Sequence, residues 1–495
     1  MYVCRFRLFD ILRGWWIDKD SDSGGNNHGN SDGDIRSTFL KQCFAACGPL
    51  LLTVVSGMTF GYSAVLIPQL QTVNNTNSTN VIRINREEAS WVASLAVLPM
   101  AAGTLIGGIL IQKYGRKTTH LIMCLPFSMG WAVMYFAINL EMLLTGRFIT
   151  GLCSGILTPA TGVYIGETSE PKYRGVLLGG VALSVSMGLL LSHVIGTFFT
   201  WQTTALITST IPILSLFLML LVPESPAWLI QKGRADTATR AFEWLRGRSD
   251  DANRELQEML ARQKNMENNH DDNGLKEMLR KEFLKPMGLL IVFFITSQWT
   301  GVNAVNFYSV TLMKQTLDNV NEYLATFVID CIRLGASIVS CVLLRRVGRR
   351  PLILTGGLGT ILSLFTLSAF IYITKYLSVS SRTISIIPLL SLVVYTFFVT
   401  AGFVSLPWNL LGELIPLKQR STGSGVASCI AYLSIFSVVK TMPEMFEVIG
   451  PEGTFLVYGM MGLIGTVFIY CCLPETRGKT LDEIEEYFSG ATEKR

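Results

Sequence analysis

Residues 166–175 read GETSEPKYRG, and residues 412–421 read GELIPLKQRS. In each stretch an arginine follows the glutamate at the same spacing, Glu167 to Arg174 and Glu413 to Arg420. Two further motifs recur in the same order around them: YGRK (114–117) returns as VGRR (347–350), and PESP (223–226) as PETR (474–477). Three motifs repeated in one order, roughly 240 residues apart, mean a chain built from two copies of one unit.

What that unit is made of follows from composition. Of the 495 residues 49% are hydrophobic and 16% charged, and the mean hydropathy is +0.41, too apolar for an ordinary soluble protein. Apolar runs that approach the roughly 20 residues needed to cross a bilayer lie near 44–70, 90–112, 119–139, 143–166, 176–199, 205–222, 287–312, 323–344, 352–373, 385–411, 422–446 and 454–473. The sequence therefore predicts an all-α membrane protein with twelve transmembrane helices in two six-helix repeats, 44–222 and 286–473. A charged central segment, 223–285, joins them, between an N-terminal tail (1–43) and a C-terminal tail (474–495). Each half has an even number of helices, so both enter the membrane in the same sense, the parallel-repeat plan of transporters whose substrate path runs between the halves.

Charge sets the expected orientation. Of 41 Lys and Arg, the loops assigned to the outside hold Arg83, Arg86, Lys314, Lys375 and Arg382, so the basic majority places both termini in the cytoplasm. The loop TVNNTNSTN agrees, because its sequons at Asn74 and Asn77 are glycosylated only on the lumenal or outer side. The net charge of +5 follows this topology and gives no reason to expect nucleic acid. None of the ten cysteines falls in an outside loop, and no disulfide framework or metal-ligand spacing appears. The opening MYVCRFRLFDILRGWW is basic and amphipathic, reads as an interfacial tether rather than a signal peptide, and holds Cys4, a small hydrophobe or an acylation site. The polar DKDSDSGGNNHGNSDGD after it reads as a disordered linker.

Two sets of polar residues ask for a function. Within the seventh run, TSQWTGVNAVNFY (296–308) carries Gln298, Asn303 and Asn306, which on a continuous helix point to about 0°, 140° and 80° and share one sector with Ser309. Such a stripe does not belong against lipid. It faces a water-filled cavity, or it bonds to other helices of the bundle. The second set lies at the cytoplasmic helix ends, where Arg116, Lys117, Arg349 and Arg350 can reach Glu167, Glu224, Glu413 and Glu475. Either these are interfacial anchors, or, given their twofold recurrence, they form a latch on the cytoplasmic side.

Together YGRK, GRFITGLCSG, GETSEPKYRG, PESPAWLIQKGRADTATRAFEWLRG, QWTGVNAVNFYS, RRVGRRPL, LPWNLLGELIP and PETRGKTLDEIEE resemble the sugar porters of the major facilitator superfamily, close to the insect facilitated trehalose transporters, over residues 44–488. The resemblance implies movement of a sugar by alternating access in the plasma membrane, with no covalent chemistry and no cofactor. It also implies that Gln298 and Asn303 bind sugar hydroxyls, that Trp408 lines the cavity on a helix weakened by Gly402 and Pro407, and that Glu167, Arg174, Glu413 and Arg420 form the cytoplasmic network. Chemistry agrees: each amide offers a donor and an acceptor to a hydroxyl, and an aromatic face covers the apolar face of a pyranose.

Several positions depart from that pattern. Leu183, Ser297 and Ala431 stand where amides often bind sugar, and Gln112 and Arg345 replace the acidic partner of the Gly-Arg motifs. Proton-coupled members carry an Asp in the first helix where this chain has Ser63, which favours uniport. Arg147 is usual for the family and is expected to support the fold or gate, while Lys440 reads as snorkelling to the outer interface. Most unusual is Arg333 near the middle of TFVIDCIRLGASIVSCVLL. It lines the cavity, binding an anionic or highly hydroxylated substrate or locking the halves, or it pairs locally with Asp330 three residues earlier. The expected cargo is trehalose or a related hydrophilic sugar. The alternatives are a polyol or small organic anion, or a sugar sensor without transport, which would need more signalling tail than the few residues after Pro474. No nucleophile–base pair or phosphate-binding loop suggests an enzyme.

Overall fold

The computed structural model describes residues 31–72, 82–268, 281–316, 321–377, 386–415, 420–475 and 488. Residues 1–30 with Cys4, the sequons at Asn74 and Asn77, and the side chains of Arg345 and Arg420 lie outside the described set. Met1–Leu40 forms a unit apart from Lys41–Arg495, and its described part is helical.

Among the described residues all regular structure is helical. The first half comprises α1 (Ser31–Thr72), α2 (Arg86–Ser94), α3 (Leu98–Tyr114), α4 (Arg116–Tyr135), α5 (Leu140–Thr168), α6 (Pro171–Phe198) and α7 (Trp201–Leu221). Three short helices follow: α8 (Pro226–Gln231), α9 (Ala235–Arg246) and α10 (Asp250–Asn268). The second half holds α11 (Lys281–Gln298), α12 (Val302–Phe307), α13 (Ser309–Thr316), α14 (Glu322–Arg346), α15 (Arg349–Leu377) and α16 (Ile386–Phe398). A π segment (Val399–Val404) leads to α17 (Ser405–Leu414), and α18 (Arg420–Val448) and α19 (Gly450–Cys472) complete the half. Counting α2–α3, α11–α13 and α16–α17 as one span each gives the twelve expected. Ten of these are individually long and apolar enough to cross a membrane, Phe283–Gln298 is a shorter apolar helix, and α4 has 20 residues.

Lipid supplies no hydrophobic drive between helices, so close backbone approach must hold them together. The seam between α3 and α5 shows how. A Cβ on Gly103 would lie 2.7 Å from the Leu152 carbonyl, and Gly151 and Gly155 leave no room for a side chain against Ala96 and Met100. Gly107, against Ile156, lies four residues after Gly103 on α3, as Gly155 does after Gly151 on α5, so the glycines of each helix share one face. Other spans carry interior prolines, among them Pro126, Pro159 and Pro212, and one carries the π segment. Pro407 has no N–H to continue the ladder, and beside the π segment Ser405 Oγ donates to the Thr400 carbonyl at 2.7 Å.

The central segment, expected only as a charged connection, folds. Trp228, Leu229, Ile230, Ala238, Ala241, Phe242, Ala252 and Leu256 form a small core of their own. Arg246 ties it to the bundle by donating to the Ser169 carbonyl at 2.8 Å, with Glu170 at 3.7 Å and Glu255 at 3.5 Å. Burial lowers the pKa of this guanidinium and the Glu255 carboxylate opposes that shift.

Candidate transport site and gates

The amide stripe is not on a continuous helix. Trp299–Gly301 separates α11 from α12, and Gly301 takes φ +85°, a left-handed conformation in which any side chain would meet the Tyr458 ring. The break swings α12 so that its amides face back toward α11. Asn303 Nδ2 donates to Gln298 Oε1 at 2.7 Å, and Asn306 Nδ2 approaches Asn303 Oδ1 at 3.4 Å. Gln298 and Asn306 are buried and Asn303 half-buried. The chain of amides ends on Asn306 Oδ1, which is buried without a hydrogen-bond partner, as is Ser309 Oγ. The alternative of bonds to other helices is thus met in a different way: the amides bond to one another within a single broken span.

Trp408, half-buried on α17, sits between Phe294 (ring centroids 4.9 Å apart) and Tyr432 (5.8 Å). Tyr432 in turn reaches the first half through its hydroxyl, 2.9 Å from Thr158 Oγ1. Phe60 of α1 meets Phe307 of α12 edge-on at 5.6 Å. The amides and the aromatic cluster therefore belong to the second half and lie along its seam with the first. Of the positions that depart from the amide pattern, Leu183 is half-buried and Ala431 buried, while the Ser297 hydroxyl donates to its own helix at the Phe294 carbonyl, 3.0 Å away.

Arg333 is buried on α14 with Nη1 3.6 Å from Asp330 Oδ1, so the local pairing is what is observed. A partner that sequence reasoning missed completes the group: His193 of α6, whose Nδ1 lies 2.5 Å from Asp330 Oδ2 and whose Nε2 lies 3.1 Å from the Gly61 carbonyl. The available signal was a lone histidine in the apolar run LLLSHVIG.

At the face of the bundle that carries the repeated motifs, both halves build the same arrangement. Glu224 accepts the backbone N–H groups of Arg116 (3.0 Å), Lys117 (2.9 Å) and Thr118 (3.2 Å), and Glu475 accepts those of Arg349 (3.0 Å) and Arg350 (3.2 Å). Each carboxylate thereby satisfies the orphan donors at a helix start. Arg116 pairs with Glu167 at 2.8 Å, and Arg349 with Glu413 at 2.8 Å. Ser225 Oγ donates to Glu167, Lys117 Nζ to the Leu220 carbonyl at 3.3 Å, and Arg350 Nη2 to the Tyr470 carbonyl at 2.5 Å. These bonds stay inside their own half. Arg174 is exposed and makes no ion pair among the described residues.

The opposite face is different. Arg86 at the start of α2 binds Glu447 and the Pro443 carbonyl of α18. Lys440 reaches this same face: its Nζ donates to Ser90 Oγ at 2.6 Å and sits 4.1 Å from the centre of the Trp91 ring, bonding the two halves. Arg147 of α5 stays within the first half, donating to the Val92 and Thr59 carbonyls at 3.0 Å each and to Ser63 Oγ.

Residues 50–488 match the family described as sugar (and other) transporter. The chain belongs to that family. It is 33% identical over 454 residues to the facilitated trehalose transporter Tret1 of Apis mellifera ligustica, an alignment covering 91% of this chain and 89% of that one. The protein of the same name from Polypedilum vanderplanki is 33% identical over 449 residues, with 91% and 88% covered. For that of Drosophila mojavensis the identity is again 33%, but the chain spans about half of it, 51%. Among solved structures, the proton:xylose symporter XylE bound to 6-bromo-6-deoxy-D-glucose superimposes with a TM-score of 0.74 at 20% identity, over 92% of this chain and all of that one. The partially occluded inward open conformation of the xylose transporter XylE from E. coli gives 0.71 at 19% identity, over 89% of this chain and all of that one. The fold of this sugar (and other) transporter family member is thus the major facilitator fold, with two parallel six-helix repeats. Its identity to the solved structures is too low to carry roles over from them.

Proposed function

We propose that the protein is a uniporter that moves a hydrophilic sugar, trehalose or a close relative, across the plasma membrane by alternating access. The observation that carries this is the amide chain ending on Asn306 Oδ1, a buried acceptor without a partner, on the seam between the halves. A sugar hydroxyl satisfies that acceptor, and a second can replace the internal bond between Asn303 and Gln298, so binding exchanges hydrogen bonds instead of losing them. Trp408 supplies an apolar face for a pyranose. The names of the relatives support trehalose as the cargo.

In this reading Gln298, Asn303, Asn306 and Trp408 bind substrate. Arg116, Lys117, Glu167, Arg174, Glu224, Arg349, Arg350, Glu413, Arg420 and Glu475 act at the cytoplasmic gate. The motif face is cytoplasmic, as are both termini, and Asn74 and Asn77 lie outside. The Arg86 and Lys440 bonds then close the outer side, while the motif pairs leave the cytoplasmic side free to part. Ser63 supports uniport, since the hydroxyl that accepts from Arg147 does not titrate in the working range.

The test is uptake of labelled trehalose and glucose into oocytes expressing the chain, with surface protein quantified. Saturable trehalose uptake that equilibrates, without accumulation under an imposed pH gradient, is the expected result. No uptake of either sugar by protein at the surface would overturn it and favour the polyol, organic-anion or sensor alternatives. Accumulation driven by the gradient would overturn uniport alone.

A further inference from the structure

His193, Asp330 and Arg333 are each at most 4% exposed, and they lie where α6 of the first half packs on α14 of the second. The His193 Nε2 atom faces the Gly61 carbonyl, which can only accept, so Nε2 carries a hydrogen. A neutral ring then offers Nδ1 as a bare lone pair. Yet Nδ1 stands 2.5 Å from Asp330 Oδ2, and a lone pair facing a carboxylate at that distance is repulsive. One more proton is therefore required between the two groups, either on Nδ1 or on the carboxyl. Arg333 is the alternative partner for that carboxylate. Its Nη1 is 3.6 Å from Asp330 Oδ1, and neither Nη1 nor Nε has a hydrogen-bond partner.

From these contacts we propose that His193 and Asp330 form a proton-binding site built jointly by the two halves, filled when the face opposite the motifs is closed and emptied as that face opens. With the proton present, Asp330 is shared with His193 across the seam. When the proton leaves to the aqueous phase, Asp330 turns wholly to Arg333 on its own helix, both charges remain paired, and the cross-seam bond is gone. The site lies toward the opposite face, since His193 is in the last turns of α6 and Asp330 in the first turns of α14. Deeper along the same seam Ser186 Oγ bonds Ser337 Oγ at 2.8 Å, and Cys341 Sγ lies 3.6 Å from the Gly179 carbonyl.

Of the other charged and titratable groups around the site, Cys331 adjoins Asp330 on α14 with its side chain exposed, and the rest are committed elsewhere. On α1 the Tyr62 hydroxyl donates to the Trp201 carbonyl, and Arg147 of α5 donates to α1 and to Val92. On α16 Tyr395 interacts with Arg333 and donates its hydroxyl to the Thr300 carbonyl at 2.9 Å, while α7 carries no titratable side chain. The sign follows: closing takes up a proton, so acid favours the closed face and rising pH releases it. For one linked proton the closed-to-open ratio falls by at most about tenfold per pH unit. The proposal rests on alternating access but not on the cargo. It makes the rate of exchange depend on pH while leaving the equilibrium level of a uniporter unchanged.

The experiment measures the spin-label distance between Phe198→Cys and Leu324→Cys in the full chain, reconstituted in nanodiscs without sugar, with the accessible native cysteines replaced. These two positions are exposed near the ends of α6 and α14. A closed population that shrinks severalfold as pH rises, with the dependence lost in His193→Asn and in Asp330→Asn, is the expected result. His193→Asn keeps a donor for Asp330 without a titrating proton, so its closed population is expected to stay high at every pH. A flat profile in the parent protein, or an undiminished one in His193→Asn, overturns the proposal. Because no sugar is present, neither outcome depends on whether trehalose is the cargo.

Discussion

At the scale of single residues, the proposed sugar site is a set of hydrogen bonds that are made but not completed. Gln298 and Asn303 satisfy each other, and Asn306 Oδ1 is left over. In a bundle where most buried polar atoms are paired, an unpaired acceptor beside two exchangeable amides is a place for a ligand donor. Replacing Asn306 with Ala removes that acceptor. A neutral hydrogen bond contributes about 0.5–1.5 kcal/mol net, so the Michaelis constant for sugar uptake is expected to rise roughly 2- to 10-fold with surface level retained. Gln298→Ala is expected to do more, because it also strands Asn303 Nδ2. Equal kinetics for Asn306→Ala and the parent protein would show that sugar does not reach the end of the amide chain. Arg333 makes the opposite case, a charge whose obvious partner lies three residues away on its own helix. Its sequence suggested a ligand, a lock or a local pair. The local pair is present, and through Asp330 it also reaches across the seam.

At the scale of elements, the span α11–α13 shows what a sequence conceals. The apolar run 287–312 was legible as membrane-spanning, and so were its amides, but the helix break was not. A single glycine is ordinary in a membrane helix. What confines this position to glycine is its φ of +85° together with the Tyr458 ring delivered by α19, a neighbour that no local pattern encodes. Gly301→Ala is expected to lower the melting temperature of the purified protein, since a non-glycine residue in the left-handed region costs about 1–2 kcal/mol before any clash with the ring is counted. Tyr458→Ala should relieve the clash but not the backbone strain, so the double variant is expected to recover part of the loss. Full recovery would mean that the backbone conformation itself is not strained. The repeated motifs were more legible, because their recurrence set four basic residues against four glutamates; which arginine takes which glutamate, Arg116 with Glu167 and Arg349 with Glu413, came from the structure. His193 was passed over for the converse reason: it occurs once, has no counterpart in the other repeat, and its partner is 137 residues away.

At the scale of the whole molecule, the two faces of the bundle are closed by different physics. On the motif face each half satisfies its own carboxylates, so parting the halves there costs no ion pair among those described. On the opposite face the halves share bonds of unequal kinds: an exposed pair (Arg86–Glu447), a lysine between a hydroxyl and an aromatic ring (Lys440), and the buried His193–Asp330 contact. Exposed ion pairs are worth about 0–1 kcal/mol and a cation over an aromatic face about 0.5–1 kcal/mol, so the first two together bias closure by roughly thirtyfold at most. A bias of that size is small enough for substrate binding to reverse, as a carrier that must turn over requires. The combined Arg86→Ala, Lys440→Met variant should therefore open this face severalfold. A cysteine at Phe60, packed edge-on against Phe307 in the closed state, is expected to react correspondingly faster with a membrane-impermeant maleimide. High salt should speed the parent protein's reaction toward that of the variant, because exposed charges are screened and the buried contact is not. If the variant reacts at the parent rate, closure resides in the α6–α14 seam. Adding His193→Ala, which removes the last of the three shared bonds, would then be the change that opens the face.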